Sequence, residues 1–197
     1  MLQEEKNKIL VIGNGESVLN KKLGSKIDDF DCIARINNYK INKYKEYIGS
    51  KTSIWFNGAN QGLYKREDKP GKVIVFIPSI IQEKKDDCNQ IVKSRLGTKD
   101  FHLVKSDKIK SYERECDHNR LTTGTYAILW SIENFRQVYI YGFDFFINSK
   151  SHYFDNKIIS TLKNKGVIPK AKKHDMYKEK AYIDNLLLNG KLKILNG

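Results

Sequence analysis

The chain has 197 residues, of which 40% are hydrophobic and 11% aromatic, which is enough for one buried core and one domain spanning residues 1–197. Its apolar runs are far shorter than the roughly 20 residues of a membrane span, so a membrane-spanning helix is disfavoured. Its three cysteines form no CxxC pair, which disfavours both a disulfide framework and a zinc site. The net charge of +13 is spread along the chain, which is typical of a solvated surface but also suits an acidic partner.

Strand patterns and helix patterns alternate along the sequence. The apolar pattern predicts strands over 8–12, 31–36, 51–56, 72–77, 101–104, 137–141 and 191–195. It predicts a short helix from the 13–17 loop to about Leu23, a polar helix from Pro78 to about Leu96, a helix after Thr123–Gly124 and a helix over 173–188. This order indicates an α/β fold, with a single Rossmann-like, mostly parallel twisted sheet and helices on both faces.

The segment 148–173 differs from the rest of the chain. It has little apolar periodicity and many Lys, Ser and Asn residues. Long irregular segments in compact domains are often lids over a binding site. We therefore predict that 148–173 is a mobile lid.

Ligands of open parallel sheets bind beyond the carboxyl ends of the strands. Gly13, Asn14 and Gly15 follow the first predicted strand, and their backbone N–H groups, with the Asn14 side chain, could approach an oxyanion at a helix N-terminus. The loop lacks the third glycine of a dinucleotide fingerprint and the Gly-Lys-Ser/Thr of a P-loop. A tight strand-to-helix turn without a ligand is the alternative interpretation.

A second anion site is predicted at residues 119–124. Thr122 or Thr123 caps the following helix, and Arg120 offers a charge-assisted donor. A well-capped helix without a ligand would have the same pattern. Together, the two sites make a ligand with two acidic groups plausible.

Two histidines flank the predicted lid, His152 and His174, and imidazoles serve as acids and bases near neutral pH. Asp29 and Asp31 match the Asp-x-Asp with which many glycosyltransferases hold a metal. However, they precede a strand, so they are predicted at the opposite edge of the sheet from the glycine loop, without a metal.

Four segments, in this order, resemble the sialyltransferases of glycosyltransferase family 29, which are related to bacterial family 42. Residues 12–15, 30–37 and 47–52 are similar to the large sialyl motif, and 121–126 through 137–143 to the small motif. Residues 152–155 are similar to the third motif, and His174 with Glu179 has the spacing of the very small motif. The resemblance covers about residues 8–58 and 119–180.

The resemblance implies an inverting, metal-independent transferase, a GT-A-like variant without a cofactor. It would move sialic acid or a related nonulosonate from a CMP-sugar to a hydroxyl of an oligosaccharide or glycolipid. His174 would be the catalytic base, while His152, with Tyr153, would stabilise the departing phosphate. The implied donor-binding residues are Asn14, Gly15, Asn37, Arg120, Thr122, Thr123, Gly124, Gly142, Phe143 and Asp144.

The animal-type members carry a membrane anchor and a disulfide that joins the large and small motifs, and Ile9 stands about where one of those cysteines would be. These differences imply a cytoplasmic bacterial protein that builds a surface glycan, with contact to the anionic inner face of the membrane through its basic surface. Alternatives within the class are CMP-Kdo and pseudaminic- or legionaminic-type donors. The alternatives outside it are a basic nucleic-acid-binding α/β domain, for which 39–44 is the candidate segment, and a non-catalytic glycan binder; no nucleic-acid partner is expected.

Overall fold

The structure is a computed structural model that describes residues 8–66, 70–144, 152–155 and 174–196. In these residues, seven parallel strands form one sheet. The order across the sheet is β5-β4-β3-β2-β1-β6-β7, and each neighbouring pair is parallel. The strands are β1 Lys8–Ile12, β2 Cys32–Ile36, β3 Ile54–Asn57, β4 Lys72–Val75, β5 His102–Leu103, β6 Gln137–Tyr141 and β7 Lys193–Ile194. The predicted α/β architecture is confirmed, with a sheet that is wholly rather than mostly parallel here.

The strand order reverses between β1 and β6. From β1 the chain adds strands outward to β5, and then β6 returns to the free side of β1. In doubly wound sheets, ligands bind in the crevice at the carboxyl ends of the strands where the order reverses. Residues 13 and 142 begin the two loops that leave this point.

Helices cover both faces of the sheet, as predicted. They are α1 Gly24–Asp28, α2 Lys45–Ile48, α3 Ser79–Gln82, α4 Cys88–Leu96, α5 Ser106–Glu115, α6 Thr123–Asn134 and α7 Met176–Leu188. Two short 3₁₀ helices span Glu16–Asn20 and Asn42–Tyr44. None of the helices in the described ranges combines the length and apolar character needed to cross a membrane.

The β1 strand shows why the sheet is buried on both faces. Its residues alternate in direction, so Ile9 and Val11 pack with side chains from α5, α6 and α7, while Leu10 and Ile12 pack in a second cluster on the other face. All four side chains are at most 2% exposed. A continuous apolar strand is typical of a parallel sheet covered on both faces.

Two helix predictions were wrong, and one helix was not predicted. The helix predicted over 78–96 is two helices, because Asp87 accepts a hydrogen bond from Gln90 N and starts α4 afresh. The helix α5 was not predicted, since its sequence is mostly charged and its buried apolar residues are only Ile109 and Tyr112. The helix predicted to reach Leu23 is a 3₁₀ helix that ends at Asn20.

The predicted lid over 148–173 lies outside the described residues, except for 152–155, and stays a prediction. The three cysteines, Cys32, Cys88 and Cys116, are buried free thiols. Burial raises the pKa of the Cys116 thiol to about 12. Cys116 is therefore a packed core residue and not a reactive nucleophile.

Candidate active site

A cavity of about 120 Å³ lies at the carboxyl ends of β1, β2 and β6, where the strand order reverses. It brings together ten of the predicted site residues: Asn14, Gly15, Asn37, Thr122, Thr123, Gly124, Gly142, Phe143, Asp144 and His152. Gly13, Ile36 and Met176 also line it. Residues far apart in the sequence therefore meet in one site, as the resemblance implies.

Two N–H groups of the glycine loop after β1 are already bonded within the protein. Gly13 N donates to Tyr141 O at 2.8 Å, and Gly15 N donates to Gly142 O at 2.9 Å. Both donors are therefore satisfied by the loop after β6. For Gly13 and Gly15, the prediction that the N–H group faces an oxyanion was wrong, because each donates to the loop after β6 instead.

Glycine is required here because the two loops approach very closely. A Cβ atom on Gly15 would lie 2.4 Å from the Asp144 carboxyl group, and one on Gly142 would lie 2.2 Å from Val18 Cγ1. Gly142 also has a φ of 72°, which other residues rarely adopt. The close packing of the two loops therefore explains why glycine is required at both positions.

Asp144 occupies the position in which the sequence predicted a ligand anion. Its Oδ2 accepts a hydrogen bond from Ser17 N at 3.1 Å, and its Oδ1 accepts one from the Ser17 hydroxyl. Ser17 is in the first turn of the 3₁₀ helix, whose exposed N–H groups would otherwise attract an anion. Asp144 lines the cavity, but its carboxylate is bonded to Ser17 and caps the 3₁₀ helix Glu16–Asn20.

The amino end of α6 retains free donors. Thr122 is the N-cap residue, as predicted, and its Oγ1 accepts from Thr125 N at 3.2 Å. The backbone N–H groups of Thr123 and Gly124 have no acceptor within the described ranges, and both residues line the cavity. Free N–H groups at the start of a 12-residue helix form a good anion site. This end is the stronger of the two predicted sites.

The buried carboxylate of Glu179, on α7, ties this helix end in place. It accepts hydrogen bonds from Thr122 N at 3.0 and 3.1 Å, from Thr122 Oγ1 at 2.7 Å and from the Thr125 hydroxyl. Glu179 is fully buried. Its hydrogen-bond partners are therefore at the start of α6, and these bonds hold α7 in its orientation. Among the described residues, Glu179 does not pair with the His174 imidazole.

Two asparagines of the cavity have opposite roles. Asn14 Nδ2 donates to Ile36 O at 2.8 Å and to Asn38 O at 3.0 Å, so the side chain can offer a ligand only its oxygen. Asn37 Oδ1 accepts from Gly58 N at 3.0 Å, which leaves its Nδ2 without a partner among the described residues. Asn37, not Asn14, is therefore the side-chain amide that can donate to a ligand.

A hydrogen bond to the backbone fixes the tautomer of the neutral His174 ring. Its Nδ1 lies 2.9 Å from Arg120 O, and a carbonyl only accepts, so Nδ1 carries the proton. The Nε2 of the neutral ring then offers a lone pair, as a general base requires. The Arg120 side chain does not line the cavity, so in the described residues Arg120 acts through its carbonyl group.

The third-motif residues divide between the cavity and the core. His152 lines the cavity and stacks on Phe154, with ring centroids 5.3 Å apart. Tyr153 is 4% exposed, and its hydroxyl bonds to Lys40 N at 3.0 Å and Lys40 O at 2.9 Å. Burial raises the pKa of Tyr153 to about 12. The implied contact of Tyr153 with the leaving group is not supported, because this hydroxyl anchors the 38–40 loop.

Asp29 and Asp31 lie at the amino-terminal edge of the sheet, in a separate hollow with Lys8 and Tyr139. This is the edge opposite the cavity, as predicted. Within the described ranges, no cluster of three His, Cys, Asp or Glu side chains is arranged to hold a metal ion. Asp28, which precedes them, instead accepts hydrogen bonds from Ser50 N and Lys51 N.

Sequence reasoning missed the function of Arg35. It is 1% exposed, and its Nη2 donates to the carbonyl oxygens of Ile48, Gly49 and Lys51 at 2.8 to 3.2 Å. These carbonyls close the carboxyl end of α2, where a cation is favoured. Desolvation lowers the pKa of Arg35 from its ordinary value. The presence of an arginine in the otherwise apolar strand β2 is the sequence signal from which this structural role could have been predicted.

Comparison with known proteins finds a matching family and similar sequences. The family model "Glycosyltransferase family 29 (sialyltransferase)" matches residues 3–89 and 64–191. The human type 2 lactosamine alpha-2,3-sialyltransferase is 25% identical over 214 residues, covering 92% of this chain and 64% of the relative. The human CMP-N-acetylneuraminate-beta-1,4-galactoside alpha-2,3-sialyltransferase is 40% identical over 45 residues, 23% of this chain and 12% of the relative. The chain thus spans less than two thirds of these curated relatives.

Solved structures agree on the fold. A mammalian sialyltransferase matches with a TM-score of 0.71 at 18% identity, covering 97% of this chain and 69% of that chain. The sialyltransferase CstII from Campylobacter jejuni, in complex with the substrate analogue CMP-3FNeuAc, matches with a TM-score of 0.59 at 20% identity, covering 95% and 80%.

Proposed function

The chain belongs to glycosyltransferase family 29, the sialyltransferases, and from this premise we propose that it moves sialic acid, or a related nonulosonate, from a CMP-activated donor to a hydroxyl group of a glycan acceptor. The observation that carries the proposal is the 2.9 Å contact between His174 Nδ1 and Arg120 O. It leaves Nε2 of the neutral ring as a proton acceptor. His174 does not itself line the cavity, but Met176, two residues later, does.

The donor binds in the cavity through groups that the protein leaves unused. Its phosphate accepts hydrogen bonds from the N–H groups of Thr123 and Gly124, and Asn37 Nδ2 donates to the ribose or the phosphate. Ile36, Phe143 and Met176 supply an apolar wall for the nucleoside. The complex of CstII with CMP-3FNeuAc supports a CMP-sugar as the donor.

The reaction is a single inverting displacement. The acceptor hydroxyl attacks the anomeric carbon, His174 Nε2 takes its proton, and the bond to the phosphate oxygen breaks so that CMP leaves with the electron pair. His152 lines the cavity and donates a hydrogen bond to the departing phosphate. The helix end and His152 offset the phosphate charge, so we expect transfer without a divalent metal.

The first experiment follows the release of CMP from CMP-sialic acid with and without a panel of galactosides. We expect release to accelerate with an acceptor and to need no added divalent metal. His174→Ala should lower transfer by about a hundredfold or more while CMP still binds. The control is His102→Ala, which changes an exposed histidine on the edge strand β5. Full transfer by His174→Ala would refute the assignment of the base.

The nucleotide specificity is tested by titrating the protein with CMP, UDP, ADP and NAD in the absence of metal. CMP should bind most tightly. Equal affinity for all four would contradict a CMP-sugar donor. Repeating the assay with CMP-Kdo and CMP-activated pseudaminic or legionaminic acid would identify which sugar is transferred.

The location of the protein is a further part of the proposal. The net charge of +13 supports contact with anionic lipid at the inner face of a bacterial membrane, where acceptor glycolipids are built. Binding to vesicles that contain phosphatidylglycerol, but not to neutral vesicles, is the expected result. Because the attraction is electrostatic, it should weaken as salt is added.

A further inference from the structure

The segment 120–122 lies between α5 and α6, outside any helix or strand, and side chains hold it in place. Its three successive backbone N–H groups donate to His118 Nδ1 at 3.0 Å, to the Tyr126 hydroxyl at 3.3 Å and to the Glu179 carboxylate at 3.0 and 3.1 Å, in that order. A buried backbone N–H group needs an acceptor, and here each acceptor is a side chain. These side chains therefore determine how the peptide groups of the segment are turned.

The peptide group between Arg120 and Leu121 has a partner on each side. Its oxygen, Arg120 O, lies 2.9 Å from His174 Nδ1, and its N–H group donates to the Tyr126 hydroxyl. The described residues contain no cis peptide bond, and in a planar trans peptide group the C=O and N–H bonds point in opposite directions. A fixed N–H group on the Tyr126 side therefore aims the carbonyl at His174.

The Tyr126 side chain has little freedom to move. It is in the first turn of α6, it is 1% exposed, and its ring stacks on Phe76 with the centroids 5.8 Å apart. Its hydroxyl donates to Glu113 Oε1 at 2.6 Å, so its oxygen lone pairs are left to accept from Leu121 N. Burial, together with the bond to Glu113, raises the pKa of Tyr126 well above its usual range. The hydroxyl therefore keeps its proton and its two bonds.

Glu113, on α5, anchors both the hydroxyl and the start of the segment. Its carboxylate is 5% exposed and also accepts hydrogen bonds from Ser79 N at 3.1 Å and from the Ser79 hydroxyl. Its backbone oxygen accepts one from His118 N at 3.0 Å. A buried polar network whose members are all bonded is rigid. The path from Ser79 through Glu113 to Tyr126 thus gives the Arg120 carbonyl a fixed direction.

His118 holds the preceding peptide group. Its Nδ1 accepts from Arg120 N, so the neutral ring carries its proton on Nε2, which is the opposite of the His174 tautomer. This bond runs from a side chain to the N–H group two residues later, a contact that asparagine also makes. Asparagine is therefore the substitution that conserves the bond.

We infer that Tyr126 and His118 are positioning residues that turn the backbone of Arg120 so that its oxygen holds the proton on His174 Nδ1 and leaves Nε2 free as the base. The inference rests on the proposed function, and it adds the residues that set the tautomer of the base. Without them, the carbonyl loses its direction and the ring exchanges between its two neutral tautomers. Only one of these tautomers has a lone pair on Nε2.

The first test is Tyr126→Phe, which keeps the ring and removes the hydroxyl. The kcat for transfer from CMP-sialic acid to a galactoside should fall roughly threefold to tenfold, the loss expected for one hydrogen bond, while the affinity for CMP keeps its wild-type value. Tyr112→Phe is the matched control and should keep kcat. Tyr112 is also 1% exposed and donates to a carboxylate, that of Glu133, at 2.6 Å, but among the described residues it makes no hydrogen bond to 120–122.

The second test acts on the same peptide from outside the core and does not depend on whether Tyr126→Phe folds. His118→Ala removes the acceptor of Arg120 N, from a side chain that is only partly buried. It should lower kcat by a similar factor. His118→Asn should restore most of this loss, because its side-chain oxygen can accept the same hydrogen bond.

The tautomer itself is measured by 15N NMR of the imidazole rings in mildly alkaline solution, where the rings are neutral. The chain has four histidines, so the His174 signals can be assigned by their loss in His174→Ala. In the wild type, His174 should carry its proton on Nδ1 and His118 on Nε2. Tyr126→Phe and His118→Ala should shift His174 toward a mixture of tautomers, whereas Tyr112→Phe and His118→Asn should not. A loss of stability alone would lower the midpoint of urea unfolding without changing the tautomer.

Each outcome decides a different point. Wild-type kcat in both Tyr126→Phe and His118→Ala would overturn the inference, and so would a lower kcat with an unchanged His174 tautomer. An equal change of tautomer in Tyr112→Phe would also overturn it, because the effect would then belong to the core as a whole. If the wild-type protein transferred no sialic acid, the proposed function would fail, while the tautomer measurements would still decide whether Tyr126 and His118 orient the His174 ring.

Discussion

Glu179 accepts hydrogen bonds from both the backbone N–H and the hydroxyl of Thr122, although the two residues are 57 positions apart. The carboxylate is fully buried, so these bonds are made without competition from water. Because Glu179 is on α7 and Thr122 caps α6, the bonds fix His174 relative to the free N–H groups of Thr123 and Gly124. The proposed base and the proposed phosphate site are thereby held as one unit.

We predict that Glu179→Gln lowers both stability and activity. The amide would place an NH2 group against donors and lose charge-assisted hydrogen bonds, which should cost about 1 to 3 kcal/mol in the free energy of unfolding. Urea denaturation measures this loss, and kcat for transfer should fall with it. Glu46→Gln is the control, because among the described residues the Glu46 side chain forms an exposed ion pair with Lys22, so its loss should change little. Equal stability of the two variants would show that the buried carboxylate does not anchor α7.

The stability of the protein should fall in alkaline solution, partly through Tyr153. Burial raises the pKa of Tyr153 to about 12, above the value near 10 of an unfolded tyrosine. The folded state therefore keeps its proton at a pH where the unfolded state loses it. This contribution to the free energy of unfolding is fully present below pH 10 and is lost as the pH rises toward 12. The expected loss is about 2 to 3 kcal/mol.

Tyr153→Phe tests this pH dependence. The variant loses the hydrogen bonds to Lys40 and should be less stable at neutral pH, by about 1 kcal/mol. Its stability should decline less steeply than that of the wild type between pH 10 and 12. Urea unfolding at a series of pH values gives both slopes, and parallel slopes would mean that Tyr153 does not titrate in this range.

The strands were the most predictable part of the fold. β1 and β6 have the bounds that their apolar runs predict. A strand that is buried on both faces is a nearly continuous apolar run, so its ends are clear in the sequence. The helix α5 was missed because it buries few apolar residues and its exposed charges dominate the pattern. Its buried Glu113 binds Ser79 and Tyr126, contacts that no local pattern reveals.

Within the site, residue identity was more predictable than residue role. The sequence placed Gly13, Gly15 and Asp144 at the carboxyl edge of the sheet, and they lie there. Their hydrogen-bond partners could not be predicted, since they come from segments more than 100 residues away that only the folded sheet brings together. The tautomer of His174 depends likewise on a carbonyl 54 residues earlier.

Gly15→Ala should destabilise the loop that joins the two halves of the sheet. The added Cβ would lie 2.4 Å from the Asp144 carboxyl group and would push it away from Ser17. Overpacking of this kind costs about 1 to 3 kcal/mol, measurable as a lower midpoint of urea unfolding. Gly62→Ala is the matched control, because its Cβ would meet nothing within 4 Å. A wild-type midpoint for Gly15→Ala would mean that the two loops can separate at little cost.

Asn37→Asp separates ligand binding from stability. A carboxylate can still accept the hydrogen bond from Gly58 N, and Asp tolerates the positive φ of 49° at this position, so the fold should be retained. The change removes the free NH2 group and sets a negative charge beside the proposed phosphate site. We therefore expect the affinity for CMP to fall by about tenfold or more, as measured by calorimetry.

Asn38→Asp is the control for this effect. It makes the same change of charge one residue further along, on a side chain that bonds to Gly62 O and Tyr64 N and does not line the cavity. Screening by salt should make its effect on CMP affinity small, so that the difference between the two variants reports on direct contact. Equal losses would indicate a general electrostatic effect, and no loss in Asn37→Asp would remove this amide from the donor site.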